Sequence, residues 1–283
     1  MIGVKLMGGL GNQMFQYALG SSIAVHNNND LVLDLSFFEK QPLENTQRYY
    51  SLNCFKLDAK LCKKTVLGKK PIFYFGTDIT YFENLYLEKE FKFDNKVLLQ
   101  PDKTLFEGYW QTEKYFKNIK KKLINDFALA RDISREDAAL EEKIKNCNSV
   151  SLHVRRGDYV NNQNANKFHG LKGIDYYKKA IKIINKTYRE FTIFIFSDDI
   201  AWCKKNLSKI HDNIIFVGGD RVDYVDMHLM KNCSHNIIAN SSFSWWAAWL
   251  NENKSKIVVA PKIWFNDPNT STVDIIPKSW IKI

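Results

Sequence analysis

The chain has 283 residues, a net charge of +10, and 45% hydrophobic and 14% aromatic residues. That is enough apolar material for two medium-sized domains, and it excludes a small stapled module. No run approaches the ~20 uninterrupted apolar residues of a membrane-spanning helix, Met1–Lys5 is too short and too soon followed by glycines to be a signal peptide, and five scattered cysteines without a C-x-x-C pair point to reduced thiols in the cytoplasm rather than to disulfides or zinc.

Val4-Lys5-Leu6-Met7 predicts a short strand, and Gly8-Gly9-Leu10-Gly11 breaks it. Met14, Phe15, Ala18, Leu19, Ser22 and Ile23 then recur at helical spacing before Leu31-Val32-Leu33-Asp34 restarts a strand, which makes a βαβ unit. Residues 36–110 carry aromatic clusters such as Phe73-Tyr74-Phe75 and Tyr81-Phe82 without clean periodicity, and no elements are predicted there. Tyr115, Phe116, Ile119, Leu123, Ile124 and Phe127 share a helical face, which leaves Lys120-Lys121-Lys122 mainly on the outside. Solvent-facing lysine of this kind accounts for much of the charge. The same charge also suits an anionic partner: nucleotide, nucleic acid or an anionic membrane surface.

A charged helix over 134–145 precedes the first strand of a second region, which gives an N-terminal domain over 1–147 and a C-terminal domain over 148–283, its last roughly 20 residues able to pack back on the first. Strand 149–154 runs into His153-Val154-Arg155-Arg156-Gly157-Asp158-Tyr159. A helix with Tyr176, Tyr177, Ala180, Ile181 and Ile184 on one face follows, after a polar, asparagine-rich loop over 161–166. Strand 192–196 ends at Ser197-Asp198-Asp199, strand 214–217 at Gly218-Gly219-Asp220, and a helix covers 222–232. Strand 237–239 leads into Asn240-Ser241-Ser242-Phe243-Ser244 and an aromatic helix over 245–250, and strand 257–260 ends at Pro261. Strands separated by helical patterns predict a parallel, doubly wound α/β sheet.

Four of these loops carry candidate chemistry. At the His-Arg-Arg turn, strand alternation puts His153 and Arg155 on one side and Arg156 on the other, at the strand end where open α/β sheets bind ligands. Guanidinium forks match phosphate oxygens, and structural ion pairs, with Asp158 for example, are the other use of such arginines. Gly8–Gln13 resembles a dinucleotide fingerprint but has Met14 where the third glycine belongs, and no Gly-Lys-Ser/Thr of a P-loop follows. Its amides at Asn12 and Gln13 suit sugar hydroxyls; otherwise the loop is a tight turn capped by Asn12. Asp198 and Asp199 are either a weak metal signal or a helix cap. Serines at the start of the aromatic helix suit a phosphate. His228 and His235 have no metal spacing, and no metal site is expected.

Together these residues resemble the bacterial α-1,2-fucosyltransferases of glycosyltransferase family 11. The matching pieces are Gly8–Tyr17, Glu107–Phe116, His153–Tyr159, Phe196–Asp199, and Asp226–Met230 running on to Asn240–Leu250. They span nearly the whole chain in the expected order. The resemblance implies a GT-B-like α/β fold, two Rossmann-like domains facing a cleft. It implies transfer of L-fucose from GDP-fucose to the 2-hydroxyl of a terminal β-galactoside, with inversion, without metal and without cofactor. The partners are then GDP-fucose and a galactose-terminated glycan, with no nucleic acid, in the cytoplasm or peripherally on the inner membrane face. By the same resemblance Arg155 grips the pyrophosphate, Asp226 contacts guanine, Ser242 and Phe243 line the phosphates and sugar, and Gly11, Asn12 and Gln13 belong to the loop facing the cleft. Arg156, Asp198, Asn240 and Ser241 complete the expected donor site.

The residues themselves allow the same chemistry. A departing diphosphate can be stabilised by Arg155 and a helix N-terminus, and the attacking hydroxyl needs at most one acceptor, for which His153 and Asp158 are the candidates. Two other classes remain: a nucleotide-cofactor oxidoreductase built on the glycine-rich βαβ unit, and a non-catalytic nucleotide or nucleic-acid binder using the basic surface.

Overall fold

A computed structural model describes residues 1–41, 46–68, 79–157, 160, 167–168 and 170–283. The chain divides into two compact units, Met1–Ala130 with Val273–Ile275, and Arg131–Thr272 with Ile276–Ile283. The division falls before the charged helix rather than at 147, because that helix packs on the second unit. Of the C-terminal residues, only Val273–Ile275 group with the first unit. Asp274 there accepts the Phe93 N–H at 2.9 Å and pairs with Lys114.

The first unit opens as predicted: β1 (Ile2–Lys5), α1 (Leu10–Asn27) and β2 (Leu31–Asp34). The unassigned middle then supplies β3 (Lys60–Cys62), β4 (Lys64–Leu67), β5 (Ile79–Phe82), β6 (Asn84–Leu87) and β7 (Thr104–Glu107). Phe73-Tyr74-Phe75 lies outside the described residues. Among the described residues the sheet order is β3-β2-β1-β7-β6, with β4 and β5 as a separate pair, and every pairing is parallel. The order turns back between β1 and β7. Helix α1 is buried on nearly all sides from Leu10 to Ala24, so its glutamines are enclosed along with its apolar residues. Tyr17 reaches from it to the Asp126 carboxylate, 2.8 Å away. The stretch from Tyr115 to Phe127 begins as short 3-10 turns, and only Lys120–Asp126 forms a helix, α2.

The second unit begins with α3 (Arg135–Lys145), whose start is fixed by the Ser134 hydroxyl accepting the Asp137 N–H at 3.1 Å. There follow β8 (Ser149–Val154), α4 (Ile174–Thr187), β9 (Thr192–Ser197), α5 (Ile200–Leu207), β10 (Ile214–Val217), α6 (Asp223–Lys231), β11 (His235–Ile237), α7 (Ser242–Leu250), β12 (Val258–Ala260) and β13 (Ile281–Lys282). Among the described residues all strand pairings here are parallel, in the order β10-β9-β8-β11-β12-β13. Taken in chain sequence this is 3-2-1-4-5-6, the Rossmann order, with its switch between β8 and β11. The strand β8 is buried along its whole length. Leu152, Ile193, Ile195, Tyr177 and Ile184 form part of the core beside it, each contributing roughly 2 kcal/mol by leaving water.

Candidate active site

The ligand crevice of such a sheet lies beyond the carboxyl ends of its strands at the switch. In the second unit that position is the end of β8 beside the start of α7. His153, the last residue but one of β8, places its ring 5.5 Å from that of Phe243 in the first turn of α7. Burial, with Arg155 adding and Asp198 opposing, lowers the His153 pKa to about 4. The imidazole is therefore neutral at physiological pH, and so weak a base takes a proton poorly there. It offers a polar edge instead: its Nδ1 has no hydrogen-bond partner among the described residues.

Beyond β8 the two arginines separate, as alternation requires. The Arg155 guanidinium meets the Asp198 carboxylate at 2.8 Å and remains partly exposed. Arg156 turns away, bonding Asp199 at 3.1 Å and lying 4.1 Å over the Trp202 ring, a stacked and paired arrangement that holds its guanidinium against the start of α5. The other Asp198 oxygen accepts the Arg156 backbone N–H at 2.8 Å, so one carboxylate holds both the turn and the guanidinium. A Cβ at Gly157 would come within 2.6 Å of the same Asp198 carboxylate and would force it to shift. Asp199 caps α5 through the Trp202 N–H at 3.0 Å. The two aspartates thus act as arginine partners and helix cap, and no group of three metal-ligating side chains occurs among the described residues. Asp158 and the 161–166 loop lie outside the described residues.

Across the switch, Ser241 begins α7 with no capping bond from its side chain. Ser241, Ser242 and Phe243 are half-buried, and an uncapped helix start presents N–H groups to an anion. Asn240 is different. It is 2% exposed, and its amide donates to the carbonyls of Gly170 and Trp264, each at 3.1 Å. It fastens two loops behind the site instead of facing a ligand. Trp245 and Trp246 are fully buried and form core.

Asp226 stands in the first turn of α6 with Arg221 and Asp137 as charged neighbours. Burial pushes its carboxyl up to about 7, against the pull of Arg221. The Arg221 Nη1 is 3.6 Å away, too far for a hydrogen bond, while the Arg221 Nε bonds Asp137. Asp137 and Arg221 carry no mark in the sequence. They are joined across 84 residues.

In the first unit the corresponding switch joins the Gly8–Gln13 loop to the turn after β7. Gln13 does not face a ligand. It is fully buried, donates to the carbonyls of Gly8 (2.9 Å) and Tyr49 (2.8 Å), and accepts the Ser51 N–H at 2.9 Å. Gln16 works in the same way, accepting from Met7 and donating to Gly108. Gly11 is buried inside α1, and Asn12 is half-buried with its Oδ1 accepting from Gln111 at 2.9 Å; α1 starts at Gly9 without a side-chain cap. The matching segments Gly8–Tyr17 and Glu107–Phe116 are therefore one assembly. Glu88, which ordinary sequence patterning does not single out, closes it from the end of β6 by accepting the N–H groups of Tyr109 (2.6 Å) and Trp110 (2.9 Å).

Two parallel Rossmann-like sheets, one carrying an arginine turn and an uncapped helix start at its switch, define a GT-B-like glycosyltransferase fold. The family model for Glycosyl transferase family 11 matches residues 1–283, and the chain belongs to that family. It is 38% identical to an alpha-1,2-colitosyltransferase of Escherichia coli over 99% of this chain and 97% of that protein. It is 34% identical to the O-antigen biosynthesis glycosyltransferase WbnK of Escherichia coli, covering 98% and 99% of the two chains. Among solved structures, the fucosyltransferase NodZ from Bradyrhizobium matches with a TM-score of 0.52 at 14% identity, over 87% of this chain and 92% of that one; the same enzyme has been soaked with GDP-fucose.

Proposed function

We propose that the protein is an inverting, metal-independent α-1,2-glycosyltransferase that moves L-fucose from GDP-fucose to the 2-hydroxyl of a terminal β-galactoside in a glycan. The observation that carries this reading is the meeting of β8 and α7 at the switch. It sets the Arg155 guanidinium, held by Asp198, on the same sheet edge as the uncapped start of α7. A diphosphate leaving group gains charge as the glycosidic bond breaks, and a guanidinium with helix N–H groups stabilises that charge. The anomeric carbon becomes oxocarbenium-like, as in glycoside hydrolysis. Ser242 and Phe243 then line the phosphates and sugar, and Asp226 receives the N–H edge of guanine. The acceptor side falls to Asn12 and its surroundings in the first unit. The amides of Gln13 and Asn240 are left out of the site, because their bonds are spent within the protein.

A second reading is favoured by the 38% identity to a colitosyltransferase. Colitose is fucose without its 3-hydroxyl, so both donors present the same diphosphate, and the Arg155 arrangement serves either. Initial rates with the two GDP-sugars on a galactoside acceptor, with and without chelator, decide between them, and linkage analysis of the product gives the position. Arg155→Ala should lower turnover about 100-fold or more while the protein stays folded by circular dichroism. Near wild-type turnover in that variant removes Arg155 from the chemistry, and hydride transfer with a nicotinamide cofactor would replace the reading altogether.

A further inference from the structure

Trp110 has φ 58°, in the left-handed region that a bulky aromatic residue seldom enters. Such a conformation persists only when its surroundings impose it, and it clusters where geometry serves function. The imposing group is Glu88. Its two oxygens accept the consecutive N–H groups of Tyr109 and Trp110. Its own N–H is bonded to the Glu107 carbonyl at 2.9 Å. Gly108 completes the fit, since a Cβ there would lie 2.3 Å from the Glu88 Cβ. The turn so held continues into Gln111, whose amide donates to Asn12, and Gln16 secures the Gly108 carbonyl at 3.0 Å. Every link lies in the first unit, and together they run from the end of β6 to the glycine-rich loop.

We propose that Glu88 is a positioning residue for the acceptor: its carboxylate holds the Gly108–Trp110 turn and, through Gln111, sets the orientation of the Asn12 amide. The kinetic consequence rests on the transferase reading above; the structural consequence does not.

Both carboxylate oxygens are acceptors in use. Adding a proton removes the charge and leaves one of them a hydroxyl, a much poorer acceptor, so that bond loses most of its strength. Burial pushes the Glu88 carboxyl up to about 7, against the two backbone bonds, so the loss falls in an accessible pH range. The titratable groups that face it are the phenols of Tyr109 and Tyr115, both raised, chiefly by burial. Arg48 acts on Tyr109 from beyond, and Asp94 on Tyr115. Glu107, opposite in β7, pairs with Lys5 at 3.2 Å. With the phenols raised, the carboxyl is the member of this group that changes charge near neutrality.

The test compares wild type with Glu88→Gln and Glu88→Asp. Glu88→Gln puts an amide donor against an N–H and should raise the acceptor KM about tenfold, leaving the donor KM within about twofold. Glu88→Asp keeps the charge and should recover part of the loss. With donor saturating, so that donor affinity does not enter, wild-type kcat/KM for the acceptor should fall as pH drops through about 7, and Glu88→Gln should lack that limb. An unchanged acceptor KM in Glu88→Gln, or the same pH limb in that variant, overturns the proposal.

If Glu88→Gln fails to fold, amide hydrogen exchange on the wild type decides. After correction for intrinsic rates, protection at Tyr109 and Trp110 should increase above about pH 7 relative to the strand cores. Equal protection on both sides of that pH overturns the role. A wild type that transfers no sugar would sink the transferase reading while leaving this exchange arm intact.

Discussion

Asp226 shows how burial gives a single carboxyl a pH-dependent task. Its pKa is pushed up to about 7, so the charged form, the one proposed above to accept N–H bonds from a guanine edge, fills only as pH rises through that value. The affinity for GDP should therefore rise with pH between about 6 and about 8, and Asp226→Asn should flatten the curve and weaken discrimination of GDP from ADP. Calorimetry across that range checks both, and a pH-independent wild-type affinity removes Asp226 from the base contact. The stability term has the opposite sense. With the folded pKa raised above the ordinary carboxylate range, this group favours the fold most below that range and loses its contribution as pH rises through about 7. At the same scale, Gln13 and Asn240 show what a sequence cannot reveal. An amide in a loop after a strand looks the same whether it faces a ligand or fastens backbone. Only the partners, Tyr49 and Ser51 for the first, Gly170 and Trp264 for the second, separate the two uses. The division between Arg155 and Arg156 was legible, because strand alternation fixes it locally.

Elements with a strong period were legible and the others were not. Helix α4 shows a clean apolar stripe, and β8 is a buried run bounded by turns. By contrast β3, β4, β5 and β6 are three or four residues long. Leu61, Leu67, Leu85 and Leu87 on them are exposed. That gives neither alternation nor an apolar run, so residues 36–110 yielded no pattern. Helix α5 was missed for its brevity, although its cap Asp199 is visible. The turn after β7 carries its own test. Trp110→Gly would suit the left-handed backbone and relieve about 1–3 kcal/mol. It would also remove the indole from between Tyr86, Phe106 and Tyr115, at a cost of about 3–5 kcal/mol. The variant should therefore be less stable by about 2 kcal/mol in denaturant melts, and a gain in stability would show that the ring packs poorly.

At the scale of the molecule, each unit repeats one plan: a parallel sheet whose strand order turns back beside a loop rich in polar groups. The plan could be read in the second unit, where strands and helices alternate regularly, and only its opening βαβ was evident in the first. No helix among the described residues is long and apolar enough to cross a membrane. The +10 charge makes its own prediction. A protein that used this charge on a polyanion would lose roughly 1,000-fold or more in affinity between 50 and 200 mM salt. Binding of GDP at one arginine should change less than about tenfold over the same range, and a steep loss would favour a nucleic-acid partner.

Helix α7 carries three indoles packed against one another. Trp245 and Trp246 are 5.1 Å apart, Trp246 and Trp249 5.2 Å, and Trp280 lies 5.4 Å from Trp245. All four belong to the second unit, and Trp110 is the one tryptophan of the first. Chromophores this close couple their excited states, so the ultraviolet dichroism of the protein should carry an exciton couplet arising from the second unit alone. The couplet then gives an optical clock for the second half of the chain, and set against dichroism of the whole backbone it shows whether the halves melt together and whether the second responds when a nucleotide is added.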